Sequence, residues 1–152
     1  MTAIKQTQGS TVAATITLAE LANAAGRQSA VLDLGETFPE FVRVELTVDF
    51  SSAPTAGLTM DVYLSSSVDG SLFDGECTGS DAAYSTLADC ARLRFVGSLA
   101  ASNSTNQQRA SWIMRVPSRY IALVVWNASG QALTAVGGDQ VLRVTPLIGD
   151  AT

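Results

Sequence analysis

The stretch FVRVELTVDF, residues 41–50, puts Val42, Val44, Leu46, Val48 and Phe50 on one side of an extended chain and Arg43, Glu45, Thr47 and Asp49 on the other. Successive side chains of a β-strand point to opposite faces, so this alternation describes a strand with one face in a core and one in water. Residues 58–65 repeat the pattern, with Leu58, Met60, Val62 and Leu64 against Thr59, Asp61, Tyr63 and Ser65. The intervening Ala53-Pro54-Thr55-Ala56-Gly57 is turn-like, and the two strands read together as an antiparallel hairpin.

Working outward, further strands are expected at residues 11–18, 29–34, 92–99, 110–116, 119–127 and 140–146, each bounded by Gly, Pro, Asn or Ser. About eight short strands with turn signals between them predict an all-β fold: two packed antiparallel sheets, a jelly-roll-like β-sandwich. Helix has one candidate, the capping-box spacing Thr17-Leu18-Ala19-Glu20 with Gly26 beyond it, which reads as a strand running into a short helical turn. The polar residues 1–10 are expected to form a flexible arm that orders only on a partner, leaving residues 11–152 as a single domain. Two long loops are expected at residues 65–92 and 100–109, and a long loop in a compact domain usually has work to do or a neighbour to cover.

Residues 120–126 differ from the other strands because both faces are apolar: Tyr120, Ala122, Val124 and Trp126 on one, Ile121, Leu123 and Val125 on the other. Either the chain covers this strand on both sides, or its second face meets another subunit. Ile121, Leu123 and Val125 are therefore candidate interface residues.

Composition narrows the chemistry. Charged residues make up 15% of the chain against a usual share of about 25%, and apolar residues 47%, a balance that favours hiding surface against other subunits. The formal net charge of -5 argues against nucleic acid as a partner. With no histidine and Lys5 the only lysine, histidine-based triads, histidine metal sites and a buried Schiff-base lysine are largely excluded. Residues 1–10 lack the apolar core of a signal peptide, and the longest apolar run falls far short of the roughly 20 residues of a membrane-spanning helix. Cys77 and Cys90 are open to either state, free thiols in a reducing cytosol or a disulfide closing their loop.

Asp69, Asp74, Glu76 and Asp81 gather in the first long loop, but their spacing is not that of an EF-hand, and with Gly70, Gly75 and Gly79 among them they read as acidic turn residues. They are the candidates for contact with a basic partner surface. A glycosidase would need two facing carboxylates in a pocket, which spacing does not reveal. Asp33-Leu34-Gly35 and Gly137-Gly138-Asp139 are read as turns. Trp112 and Trp126 are expected in the core, and Arg92, Arg94, Arg115 and Arg119 in cross-strand or inter-subunit ion pairs.

Three stretches carry a family resemblance. ITLAELA at 16–22, followed by GRQSA at 26–30 and VLD at 31–33, then VYLSSSVDG at 62–70 with Phe73, and YIALVVWN at 120–127, resemble small structural proteins of tailed bacteriophages. The resemblance implies a β-sandwich virion component, such as a decoration or cement protein on the capsid surface, made in the host cytoplasm. Its implied partners are the major capsid protein and its own copies; the low charged fraction and the doubly apolar residues 120–126 independently point to an oligomer, with a trimer the expected state. It implies no enzymatic activity, cofactor, metal or membrane association. A head fibre, a tail or adaptor subunit, and a carbohydrate-binding module using Tyr63, Trp112 or Trp126 are the alternatives.

Overall fold

The computed structural model describes residues 4–85 and 87–151. The chain is all-β, with two antiparallel sheets packed face to face. Sheet A contains β1 (Ile4–Gln8), β2 (Val12–Ala13), β5 (Phe41–Val48), β9 (Gln108–Arg115) and β11 (Val141–Ala151), in the order β1-β11-β5-β9 with β2 also on β11. Sheet B contains β3 (Ala25–Gln28), β4 (Leu32–Asp33), β6 (Thr59–Ser67), β7 (Ala82–Tyr84), β8 (Arg94–Ala100) and β10 (Tyr120–Ala128), in the order β7-β3-β10-β6-β8 with β4 also on β10. From β2 onward the chain passes back and forth between the sheets, and β11 returns to lie between β2 and β5. That is the jelly-roll arrangement. Among the described residues no helix is long and apolar enough to cross a membrane.

The alternation in β5 is the alternation of the fold: Val42, Val44, Leu46 and Val48 are fully buried, facing Met60, Val62 and Leu64 of β6 and Ile121, Leu123 and Val125 of β10 across the sandwich. The hairpin expected between β5 and β6 does not form. β5 lies between β11 and β9 in sheet A, β6 between β10 and β8 in sheet B, and residues 49–58 carry the chain from one sheet to the other. Periodicity tells a strand which face to bury but not which strand to pair with. Phe50, bridged to Leu133, anchors this crossing in the core.

Strand β10 is buried along both faces because its own chain covers both. Its second face, Val124 and Trp126, packs beneath the long connection between β6 and β8 together with Cys77, Tyr84 and Cys90. That connection is therefore a folded third layer over part of sheet B. It contains β7, a 3-10 turn at Asp74–Glu76 and a helical turn at Leu87–Cys90.

Three expected elements are displaced. Residues 11–18 are strand only at Val12–Ala13, and no helix follows: Glu20 and Ala24 both take positive φ, and Thr17 donates from its backbone N–H and hydroxyl to Asp81 instead of capping a helix. Of the strand expected at 29–34 only Leu32–Asp33 (β4) forms, and β3 precedes that range: Ser29 both donates its N–H to the Leu123 carbonyl and accepts the Leu123 N–H on its hydroxyl, and the chain then leaves β10 so that Ala30 and Val31 bond Thr15 and Gly79. The start of β3 escaped the pattern because Gly26 carries no side chain. A Cβ there would strike the Trp126 ring. Finally, residues 4–8 of the expected flexible arm are β1, paired with β11 from Ile4↔Ala151 to Gln8↔Leu147, so they complete sheet A in the isolated chain. Residues 1–3 lie outside the described residues.

Candidate interaction surfaces

The four loop carboxylates do not form one patch. Asp81 pairs with Arg27 at 2.6 Å and accepts the two Thr17 bonds, which ties the loop to β3 and to the strand-free segment after β2. Asp74 accepts from Ser66 Oγ at 2.6 Å, while its carbonyl accepts from Ser65 Oγ at 2.7 Å. Glu76 pairs with Arg92 at 2.9 Å. Asp81 and Asp74 hold the third layer on sheet B, whereas the Glu76–Arg92 pair braces the layer internally. Asp69 Oδ1 accepts from Ser67 Oγ, the Ser71 N–H and the Leu72 N–H, fixing a tight turn, and, as for Asp74, no cation lies within ion-pair distance among the described residues. Those backbone bonds hold its carboxyl below the usual range. Among the described residues no three acidic or sulfur side chains converge as a metal site would require.

Ile121, Leu123 and Val125 are each 0% exposed. They are core residues, and the interface expected for them is corrected: the apolar face of β10 is consumed by the sandwich itself, leaving nothing for a second subunit. Of the rings considered as a sugar platform, Trp126 is buried in the second cluster and Trp112 is half-buried against the main core. Tyr63 is half-buried and stands edge-on to Phe95, 5.5 Å between centroids, with Phe95 exposed on the edge strand β8.

Three of the four arginines expected in ion pairs find them within the chain, and Arg94 makes none among the described residues. Arg92 bridges Glu76 and Asp89, Arg115 lies 3.4 Å from Glu40, and Arg119 makes two bonds to Asp33, 2.6 and 2.7 Å, with its guanidinium over the Tyr120 ring. The Arg119 bonds, with the Gly35 N–H, hold the Asp33 carboxyl at about 2. At Asp81, partial burial pushes the carboxyl up but the bonds from Arg27 and Thr17 outweigh it. A carboxyl depressed in the folded state contributes stability above its unfolded pKa near 3.8 and loses it as pH falls toward the folded value. The melting temperature of the wild type should therefore exceed that of Arg119→Gln near neutral pH, with the gap closing between about pH 4 and pH 2. A gap that persists unchanged at pH 2 would show that the pair contributes through packing rather than charge.

Cys77 and Cys90 are both free and buried beside Tyr84, whose hydroxyl donates to the Gly75 carbonyl. Burial pushes the Cys77 thiol up, and burial followed by the neighbouring Cys77 and acidic groups pushes Cys90 to about 11. A protonated, enclosed thiol is a poor nucleophile. Neither cysteine should react with iodoacetamide at pH 8 in the folded protein, and both should react in denaturant; rapid native labelling, read by mass spectrometry, would contradict the packing of the third layer.

What sequence reasoning missed lies on the outside. Val68 and Leu72, flanking the Asp69 turn, are 89% and 81% exposed. On the outer face of sheet A, Arg43, Arg109, Arg115 and Arg143 project from β5, β9 and β11 against Glu45, which Arg143 approaches at 3.4 Å. Ile113, opposite Arg43, is 60% exposed, and Phe41, opposite Arg115, borders an open groove of about 820 Å³ lined by Phe38, Pro39, Pro146, Leu147 and Ile148. A second, smaller cleft of about 230 Å³ opens between the sheets at β2 and β4, lined mainly by Val12, Val31, Leu32, Leu34, Val144 and Pro146. The outward half of each alternating strand carried the signal, in Arg43 and Ile113, but only the pairing of β5 with β9 puts those residues side by side.

No protein-family model matches the chain, and the comparison with curated proteins finds no match.

Proposed function

We propose that the protein is a structural component of a tailed-bacteriophage virion, a decoration protein that binds the assembled head and stabilises it through contacts with the major capsid protein and with its own copies, without catalysing a reaction. The observation that carries this reading is the jelly-roll strand order, an arrangement used by viral capsid and lectin domains. Because fold alone does not fix role, the reading rests equally on the resemblance of residues 16–22 with 26–33, 62–70 with Phe73, and 120–127 to phage structural proteins. The charge-poor, apolar-studded exterior supports it, since such a surface is suited to contacts with other subunits.

A decoration subunit that binds only the assembled shell stabilises it by mass action, and small contributions multiply over many copies. Heads lacking the protein should form but release their genome at lower temperature, or under milder osmotic shock, than complete heads. Heads that match complete ones in both challenges yet fail to attach to host cells would move the protein to a head fibre or receptor-binding component. One observation favours a second reading, a carbohydrate-binding module: Phe95 is exposed beside Tyr63 on the outer face of sheet B. Glycan-array binding lost in Phe95→Ala would support it.

A further inference from the structure

We propose that copies of this chain associate head to tail, the turn Val68–Leu72 of one copy seating on the outer face of sheet A of the next, with Val68 and Leu72 against Phe41 and Ile113 and Asp69 facing Arg43 and Arg115. The two surfaces are complementary in charge and in apolar content. The turn presents one carboxylate without a cationic partner between two nearly fully exposed aliphatic side chains. The face presents Arg43 with no acidic partner among the described residues, Arg115 held only loosely by Glu40 at 3.4 Å, and exposed Ile113 and Phe41 between them. Four of the chain's nine basic side chains stand on this one face, which leaves the rest of the molecule strongly acidic.

The turn is already shaped for contact. Three bonds to Asp69 Oδ1 fix it, and Gly70, at φ 77°, lies on the Tyr120 ring where a Cβ would come within 3.3 Å. Little conformational freedom remains to be lost on docking. The turn leaves the end of β6 in sheet B, whereas the arginine face looks outward from sheet A, so one copy cannot satisfy its own pair. Two different surfaces joining copies make a heterologous contact, which closes into a ring when the rotation allows, and a three-membered ring is the trimer expected from the sequence. This inference rests on the self-association in the proposed function but not on the virion, and it is tested on the purified chain.

Sedimentation velocity at micromolar concentration and moderate salt should show an oligomer for the wild type. Leu72→Asp and Ile113→Asp should each weaken association by more than about tenfold and sediment as monomers, with unchanged circular dichroism because both side chains are exposed. An equimolar mixture of the two variants should form a dimer and nothing larger, since each retains the surface the other lacks. Arg43→Glu, which leaves the apolar groups in place, should also weaken association. A monomeric wild type, variants that sediment like the wild type, or a mixture that stays monomeric would each overturn the proposal. Loss of decoration on particles with the purified oligomer intact would instead count against the proposed function alone.

Discussion

Leu123→Asp should abolish the folded state. Leu123 is fully buried at the middle of β10, its backbone paired with Leu64 on one side and with Ser29 on the other, and its side chain in the core between the sheets. A carboxylate there has no cation to pair with, and an uncompensated buried charge costs several kcal/mol, to which the lost packing of a leucine adds about 2–5 kcal/mol. Domains of this size are stable by only about 5–15 kcal/mol in total. The expected result is the loss of the β-sheet circular dichroism signal and of a cooperative thermal transition. The same chemical change at Leu72 serves as the control: exposed on the turn, Leu72→Asp should leave the melting temperature within a few degrees of the wild type. A cooperative transition near the wild-type temperature in Leu123→Asp would mean that β10 is not a central strand.

Gly97→Ala should be the most destabilising addition of a single methyl group in the molecule's β8–β9 seam. Gly97 lies in β8 and Trp112 in β9, on the two sheet edges that meet across the sandwich, and a Cβ on Gly97 would clash with the Nε1 edge of the indole. The backbone of Gly97 is not in the left-handed region, so the cost is steric. Overpacking of this kind typically costs about 1–3 kcal/mol, because the ring must leave its position against the core. Urea denaturation of Gly97→Ala, Trp112→Ala and the double variant would separate the effects: once the indole is gone the added methyl should cost almost nothing. An equal cost in both backgrounds would show that the two residues are not in contact.

How much of this was readable from the sequence follows from what each signal measures. Periodicity reports the burial of a face, and β5, β6 and β10 were placed from it within a few residues. It carries no information on which strand lies alongside, and so a hairpin was expected where the chain crosses between sheets. In β10 the same signal left two readings open, and they were decided by residues far away in sequence: Cys77, Tyr84 and Cys90 of the third layer cover the face that would otherwise need a partner. Local motifs misled where a distant group competed for them. Thr17 looks like a helix cap, but Asp81 takes its hydroxyl and its N–H. The acidic loop reads as a block, yet two of its four carboxylates pair with arginines and the other two are held by serine hydroxyls or backbone N–H groups, and the two apolar neighbours that distinguish Asp69 can be recognised only once their exposure is known. The arginine face was unreadable for a related reason, since it is assembled from three strands that only the register brings together.

Electron microscopy of intact particles decides whether the protein decorates a phage head. A decoration protein would show the sandwich as ordered density on the outside of the shell, in regular copies over the junctions between capsid subunits, and absent from particles made without this chain. Density confined to the tail or to isolated projecting fibres, or particles whose shells are identical with and without the chain, would contradict it.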